Sequence, residues 1–232
     1  MRCLAIIPAR GGSKRLPRKN CLPFLGKPLF VWTCEAAHQS GCFDRILVST
    51  EDAEIAELAR THGFAVDNRP PELATDQAGT TDVCLELLER LERQGEHYDV
   101  VVLLYPTAPL RNAEDIRSMV RLISREDTDF VHAVTSFEGN PYQLLYQNAG
   151  GYLVPAWPLL VQKKSQELPT PLRGNGSTYL AKTDALKQAG TFYGARLRGY
   201  RMDRLRSADI DTREDFAMLT AFASILEENS HA

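Results

Sequence analysis

Four short apolar runs constrain this chain more than any other feature. Cys3 to Pro8, Arg45 to Thr50, Val100 to Leu104 and Phe130 to Val134 are each too short for a core helix and show no regular polar alternation. That is the pattern of strands buried on both faces. Stretches with helical spacing lie between them. The run from Pro28 to Ala37 has a proline suited to a first turn, and Gly41 follows as a stop. Asp52 to His62 places Ile55, Leu58 and Ala59 on one face before Gly63. Asn112 is suited to cap a helix carrying Ile116, Met119, Val120 and Ile123, with acids in its first turn. The alternation predicts an α/β fold of three layers, a mostly parallel sheet sandwiched by helices. In such sheets ligands bind beyond the carboxyl ends of the strands.

The first strand leads directly into the chain's strongest chemical signal. Arg10, Lys14, Arg15, Arg18 and Lys19 put five cations within ten residues, with no acid among them. Gly11 and Gly12 lack Cβ atoms, so the backbone can turn sharply and bring N–H donors close to a ligand. A glycine turn leaving a buried strand beside dense positive charge suits a polyphosphate. A merely solvated surface turn is the competing reading. The loop is neither a Walker A sequence nor a G-x-G-x-x-G fingerprint.

Composition narrows the partners. The 232 residues, 44% of them hydrophobic, suit a single domain over 1–232. A net charge of −3 argues against a nucleic-acid binder and makes the basic loop a local site. Five cysteines without a C-x-x-C pair read as free thiols in a reducing, cytoplasmic setting. No run of eighteen apolar residues exists, so a membrane partner is not expected.

The rhythm breaks between about Ser136 and Arg173, where five prolines, Gly150-Gly151 and the aromatics Tyr142, Tyr146, Tyr152 and Trp157 gather. This stretch reads as irregular structure or a hairpin, too apolar for a disordered linker. Contact with another subunit or a ligand and a packed surface loop are both open for it. The strand pattern resumes at Thr178 to Ala181, and a final helix is expected from about Asp211 to Leu226.

Three further segments carry candidate chemistry. In Ser207-Ala208-Asp209-Ile210-Asp211, two carboxylates one residue apart on an extended segment point to one side. Such a pair suits Mg²⁺, which takes one or two carboxylates plus substrate phosphates. Alternatively Asp211 caps the last helix with Glu214, which leaves Asp209 unexplained. Tyr105 to Arg111 leaves the central strand as a rigid turn, and Arg69 to Thr81 is a loop entering a helix. His132, inside an apolar strand, reads as a core histidine.

The run IIPARGGSKRLPRKN resembles the N-terminal motif of the acylneuraminate cytidylyltransferases, the CMP-sialic acid synthetase family. RPPELATDQAGTT, PTAPLR, SQELPTPLRGNG and ADIDTREDF are similar to four further family motifs, in the same order along nearly the whole chain. The resemblance implies a Rossmann-like nucleotidyltransferase domain with a small dimerisation excursion at 136–173, hence a homodimer. It implies Mg²⁺-dependent transfer of CMP from CTP to the anomeric hydroxyl of an acidic nine-carbon sugar.

By the same resemblance Arg10, Gly11, Gly12, Ser13, Lys14, Lys19 and Asn20 would hold the nucleotide phosphates, and Arg69, Ala78 and Thr80 the cytidine. Lys19, Arg10, Asp209 and Asp211 would be catalytic, the last two as metal ligands. Tyr105, Arg173, Asn175, Phe192 and Tyr193 would face the sugar. Tyr105 stands where sialic acid synthetases usually carry glutamine and is similar to the pseudaminic acid branch. Ser165 replaces an expected arginine, while Asn175-Gly176 resembles the sialic and legionaminic branches. Cytidylyltransferases for pseudaminic, legionaminic or Kdo-type sugars, and a non-catalytic nucleotide-binding regulator, are the alternatives.

Overall fold

A computed structural model describes residues 1–75, 77–137 and 139–230. Asp76, within the Arg69 to Thr81 loop, lies outside the described residues. The four apolar runs are strands β1 (Cys3–Pro8), β4 (Arg45–Thr50), β6 (Val100–Leu104) and β7 (Phe130–Ser136), and short β2 (Pro23–Phe24) and β3 (Lys27–Pro28) form a ribbon after the basic loop. With β5 (Ala65–Asn68), β10 (Leu172–Lys182) and β11 (Leu197–Arg201), the four make one seven-stranded sheet in the order β11-β7-β10-β6-β1-β4-β5. Every pairing is parallel except those of β10, which lies antiparallel between β6 and β7.

The helices are α1 (Leu29–Ser40), α2 (Ala53–Thr61), α3 (Thr80–Arg93), α4 (Ala113–Ile123), α5 (Thr183–Ala189) and α6 (Arg213–Ser230). Alternation along β1 sorts them into two outer layers. Cys3, Ala5 and Ile7 pack with Phe30 and Val31 of α1, Ile55 of α2 and Met119 of α4. Leu4 and Ile6 pack on the other face with Leu87, Leu88 and Leu91 of α3 and Leu186 of α5. Asn112 caps α4 as expected, reciprocally with Asp115; Asp52, read as the first helical residue, is instead the cap of α2 and accepts from the Glu54 and Ile55 N–H groups.

A third apolar cluster docks the chain's two ends. Leu16 of the basic loop, Phe24 of β2 and Leu29 of α1 pack against Ile210, and against Leu219 and Ala223 of α6. The last helix begins at Arg213, two residues later than its spacing predicts. Its cap is Thr212: Thr212 Oγ1 accepts from the Asp215 N–H at 3.2 Å, and Asp215 Oδ2 accepts from the Thr212 N–H at 2.8 Å. Asp211 therefore does not cap the helix, and Glu214 completes no box with it.

The 136–173 stretch contains the small hairpin β8 (Leu145–Gln147) and β9 (Leu153–Pro155) outside the main sheet. Its apolar side chains point outward: Leu144, Tyr146, Tyr152, Leu153 and Leu159 are all more than half exposed.

Candidate active site

The basic loop opens at the carboxyl end of β1, and its side chains wall a cleft of about 380 Å³. Arg10, Ser13, Lys14, Arg15, Lys19 and Asn20 come from that loop, Arg69 follows β5, Thr80 begins α3, and Tyr105 to Thr107 follow β6. The cleft is thus assembled where parallel strands end, as the fold class requires.

The loop's shape has identifiable causes. Arg18 sits in the left-handed region at φ 56° and pairs with Asp52 and Glu54 at the start of α2. Gly11 is pressed against the same cap, and a Cβ built there would lie 2.2 Å from Asp52 Oδ2. Its N–H donates to Glu51 Oε1 at 2.9 Å, so in this structure Gly11 allows close approach while its own donor is engaged by a carboxylate. A Cβ at Gly12 would meet nothing within 4 Å. Asn20 is buried and donates to the Arg10 carbonyl at 2.9 Å, closing the loop on itself.

Lys19 joins the loop to the far end of the chain. Its Nζ donates to the Ile210 carbonyl at 2.8 Å and to Asp211 Oδ1 at 2.9 Å, and Arg15 reaches Asp211 Oδ2 at 2.8 Å. The Ile210 N–H donates to the Thr107 carbonyl at 2.8 Å, pinning the acidic segment to the turn after β6. Asp209, beside Asp211, has its carboxyl pushed above the ordinary aspartate range by burial first and then by Asp211 and Asp215, against the pull of Lys19. Asp211 is answered by Lys19 and Arg15, whereas Asp209 is buried beside it. Two neighbouring carboxylates are a donor set that could hold a hard divalent cation also contacting substrate phosphates. Among the described residues no group of three or more His, Cys, Asp or Glu side chains gathers as a protein-only metal cage.

The remaining predicted residues divide by burial. Arg69 is buried, donates to the Ser49 carbonyl at 2.7 Å and lies 3.9 Å from Glu51 Oε2; burial lowers its guanidinium pKa. The Ala78 N–H donates to Thr75 Oγ1, and Thr80 Oγ1 hydrogen-bonds the Tyr105 hydroxyl across the cleft. Asn175 is buried and spends its side chain on Ser207 Oγ, Met202 Sδ and the Ser177 N–H, buttressing the acidic segment from beneath. The ladder between β10 and β7 shifts register between Gly174 and Tyr179, and Gly176 adopts φ 73° there, beside Asp209. Arg173 is exposed at the start of β10, Phe192 is buried, and Tyr193 is exposed.

Two groups of partners escape the sequence reading. Glu51 was not distinguishable from any exposed acid before a helix. Arg111, read only as part of a rigid turn, is buried and donates to the Ser177 carbonyl at 2.6 Å and to Thr33 Oγ1 at 2.8 Å. Burial pulls its pKa down to about 10. It clamps the turn after β6 to β10 and α1. A larger hollow, about 610 Å³, lies at the opposite end of the sheet. Its principal charges are already paired there, Asp129 with Arg196 and Lys182.

The chain is similar in sequence to known cytidylyltransferases. A family model described as cytidylyltransferase matches residues 4–146. The pseudaminic acid cytidylyltransferase of Campylobacter jejuni is 34% identical over 232 residues, 100% of this chain and 98% of that protein. The N-acylneuraminate cytidylyltransferase of Streptococcus agalactiae is 34% identical over 218 residues, 93% of this chain but 52% of that longer protein. Among solved structures, a CMP:2-keto-3-deoxy-manno-octonic acid synthetase complexed with CTP superposes with a TM-score of 0.73 at 17% identity, covering 97% of this chain and 99% of that one. At that identity the likeness establishes the fold.

Proposed function

The chain belongs to the cytidylyltransferase family, a family of nucleotidyltransferase enzymes, and from that premise we propose that it transfers CMP from CTP to the anomeric hydroxyl of an acidic nine-carbon nonulosonic sugar. The acceptor oxygen forms a bond to the α-phosphorus and gives up its hydroxyl proton to solvent, the bond from that phosphorus to the β-phosphate bridge breaks, and pyrophosphate leaves with the electron pair. The observation that carries this reading is the meeting of the basic loop with the acid pair through Lys19 and Asp211.

CTP brings about four negative charges, and more charge gathers on the pyrophosphate as it departs. Arg10, Ser13, Lys14 and Arg15 line the cleft as donors for the triphosphate, where fixed positive charge can answer the charge that develops. Lys19, held by Asp211 and the Ile210 carbonyl, is aimed along the boundary between this set and the acids, where it can offset charge on the α-phosphate and the leaving group. Asp209 and Asp211 fit Mg²⁺, which when bound would neutralise phosphate charge. Arg69 and Thr80 line the part of the cleft assigned to cytidine, with Ala78 two residues before Thr80, and Tyr105 lines the part assigned to the sugar.

The exposed leucines and tyrosines of the excursion support a homodimer formed through that face. Among the described residues no helix is long and apolar enough to cross a membrane. All five cysteines are free thiols, which supports a reducing, cytoplasmic setting.

Pyrophosphate release from CTP and Mg²⁺ with pseudaminic, legionaminic, N-acetylneuraminic and Kdo acceptors tests the proposal. Turnover is expected with a nonulosonic acid. Tyr105 and the relative from Campylobacter favour pseudaminic acid as the acceptor to try first. CTP binding without turnover on any acceptor overturns the reading in favour of a nucleotide-binding regulator.

A further inference from the structure

Behind the cleft, a row of aromatic rings runs from the surface to the Tyr105 wall, and its centre is a histidine. His132 lies on β7, 3% exposed, directly across the ladder from Tyr179 on β10. The Tyr179 ring meets the imidazole edge-to-face at 4.5 Å between centroids. The Tyr193 ring meets it at 4.6 Å, again nearly perpendicular. Tyr179 in turn packs against Tyr105 at 5.8 Å, and Tyr105 bonds Thr80 at the cleft.

The imidazole does more than fill this row. His132 Nε2 lies 3.0 Å from the Phe192 carbonyl oxygen. A carbonyl only accepts, so Nε2 must carry the proton. Burial lowers the His132 pKa and favours the neutral ring, whose single N–H is then committed to this bond. Phe192 and Tyr193 belong to the irregular connection between α5 and β11. Among the described residues, this is the one hydrogen bond that ties positions 191–195 to the central sheet. Phe192 packs in the core against Tyr179, while the hydrogen bond fixes the backbone at the residue before the exposed Tyr193.

We propose that His132 is a positioning residue for the acceptor side of the site: by holding the Phe192 carbonyl and wedging between Tyr179 and Tyr193, it sets the aromatic wall against which the sugar docks. This rests on the cytidylyltransferase reading above. The wall reaches the cleft through Tyr105, the residue assigned to the sugar, so a loss of positioning is read first in acceptor binding. Aromatic faces held rigidly offer apolar contact to the C–H and N-acyl surface of a sugar at low ordering cost.

Two variants separate the bond from the ring. His132→Phe keeps an aromatic ring but has no donor, while His132→Gln places a donor nitrogen near the same point. In His132→Phe the KM for the acceptor sugar rises about tenfold with the KM for CTP within about twofold, the split expected when binding is lost on one side of a site only. His132→Gln recovers most of the acceptor KM. Amide hydrogen exchange in the ligand-free protein reads the anchor without any turnover: residues 191–195 exchange faster in His132→Phe than in His132→Gln or the parent. An unchanged acceptor KM, a rise in both KM values together, or identical exchange in the two variants overturns the proposal. If His132→Phe does not fold, the exposed Tyr193 is replaced by Leu; a higher acceptor KM at constant CTP KM supports the wall, and no change overturns it. Absence of turnover in the parent protein would refute the reaction assignment, while the exchange comparison would still decide the anchor.

Discussion

Lys19 and Asp211 lie 192 positions apart in sequence, yet the ammonium donates to the carboxylate at 2.9 Å. The contact closes the nucleotide loop onto the acidic segment, and the same ammonium holds the Ile210 carbonyl. Lys19→Ala should lower kcat by about 10²–10³, the range for removing one preorganised donor from a site of developing charge. A circular-dichroism spectrum and melting curve check that the fold survives. Near-normal turnover in a folded variant refutes the lysine's role.

Asp209 gives the proposed metal site a testable dependence on pH. Because its carboxyl pKa is raised, the folded state holds that proton more tightly than the unfolded chain does. The stability this contributes is present below the unfolded pKa and is lost as pH rises from the ordinary aspartate value through the raised one. At neutral pH the charged form is therefore a cost that a bound cation relieves. Adding Mg²⁺ should raise Tm at neutral pH and do so less as the solution is acidified toward the range where Asp209 protonates. Asp209→Asn should melt higher than the parent without metal, lose the Mg²⁺-dependent shift and lose turnover. An equal Mg²⁺ shift in the variant would remove Asp209 from the metal site.

The two loop glycines should respond differently to the same substitution. A Cβ at Gly11 would stand 2.2 Å from Asp52 Oδ2 and 2.8 Å from its Cγ. Asp52 cannot swing aside without giving up the α2 cap and the Arg18 pair. Gly11→Ala should cost about 1–3 kcal/mol, the usual range for overpacking, and raise the KM for CTP. Gly12→Ala, with open space around it, should be close to neutral in stability. Thermal melts of the pair test the contrast directly.

The apolar excursion predicts a dimer. Leu153 is 66% exposed and Leu159 87% exposed, beside Tyr152 at 75%. Charged groups are depleted at the centre of interfaces, so Leu153→Lys with Leu159→Lys should leave a monomer where the parent scatters light as a dimer at micromolar concentration. A parent protein that is itself monomeric removes the interface.

Much of this molecule was legible in order along the chain. The apolar runs became strands, Asn112 became a cap, and the cation-rich glycine turn came to line the cleft, because each depends on residues within a few positions of one another. The capping alternative for Asp211 failed because one local rule had two solutions. At the start of the last helix Asp211 and Thr212 both had capping potential, and Thr212 took the cap while Asp211 turned to Lys19 and Arg15. Other features had no local signature at all. The insertion of β10 antiparallel between β6 and β7, the clamp of Arg111 on the Ser177 carbonyl and the contact of His132 with Phe192 join segments from separate parts of the chain. Sequence alone determined the alternating elements and the chemistry each loop carries, since periodicity and charge are local properties. Which loops meet, and which acid answers which cation, was decided only by the strand order of the sheet, because burial of both its faces selects one arrangement of distant segments from many with the same local pattern.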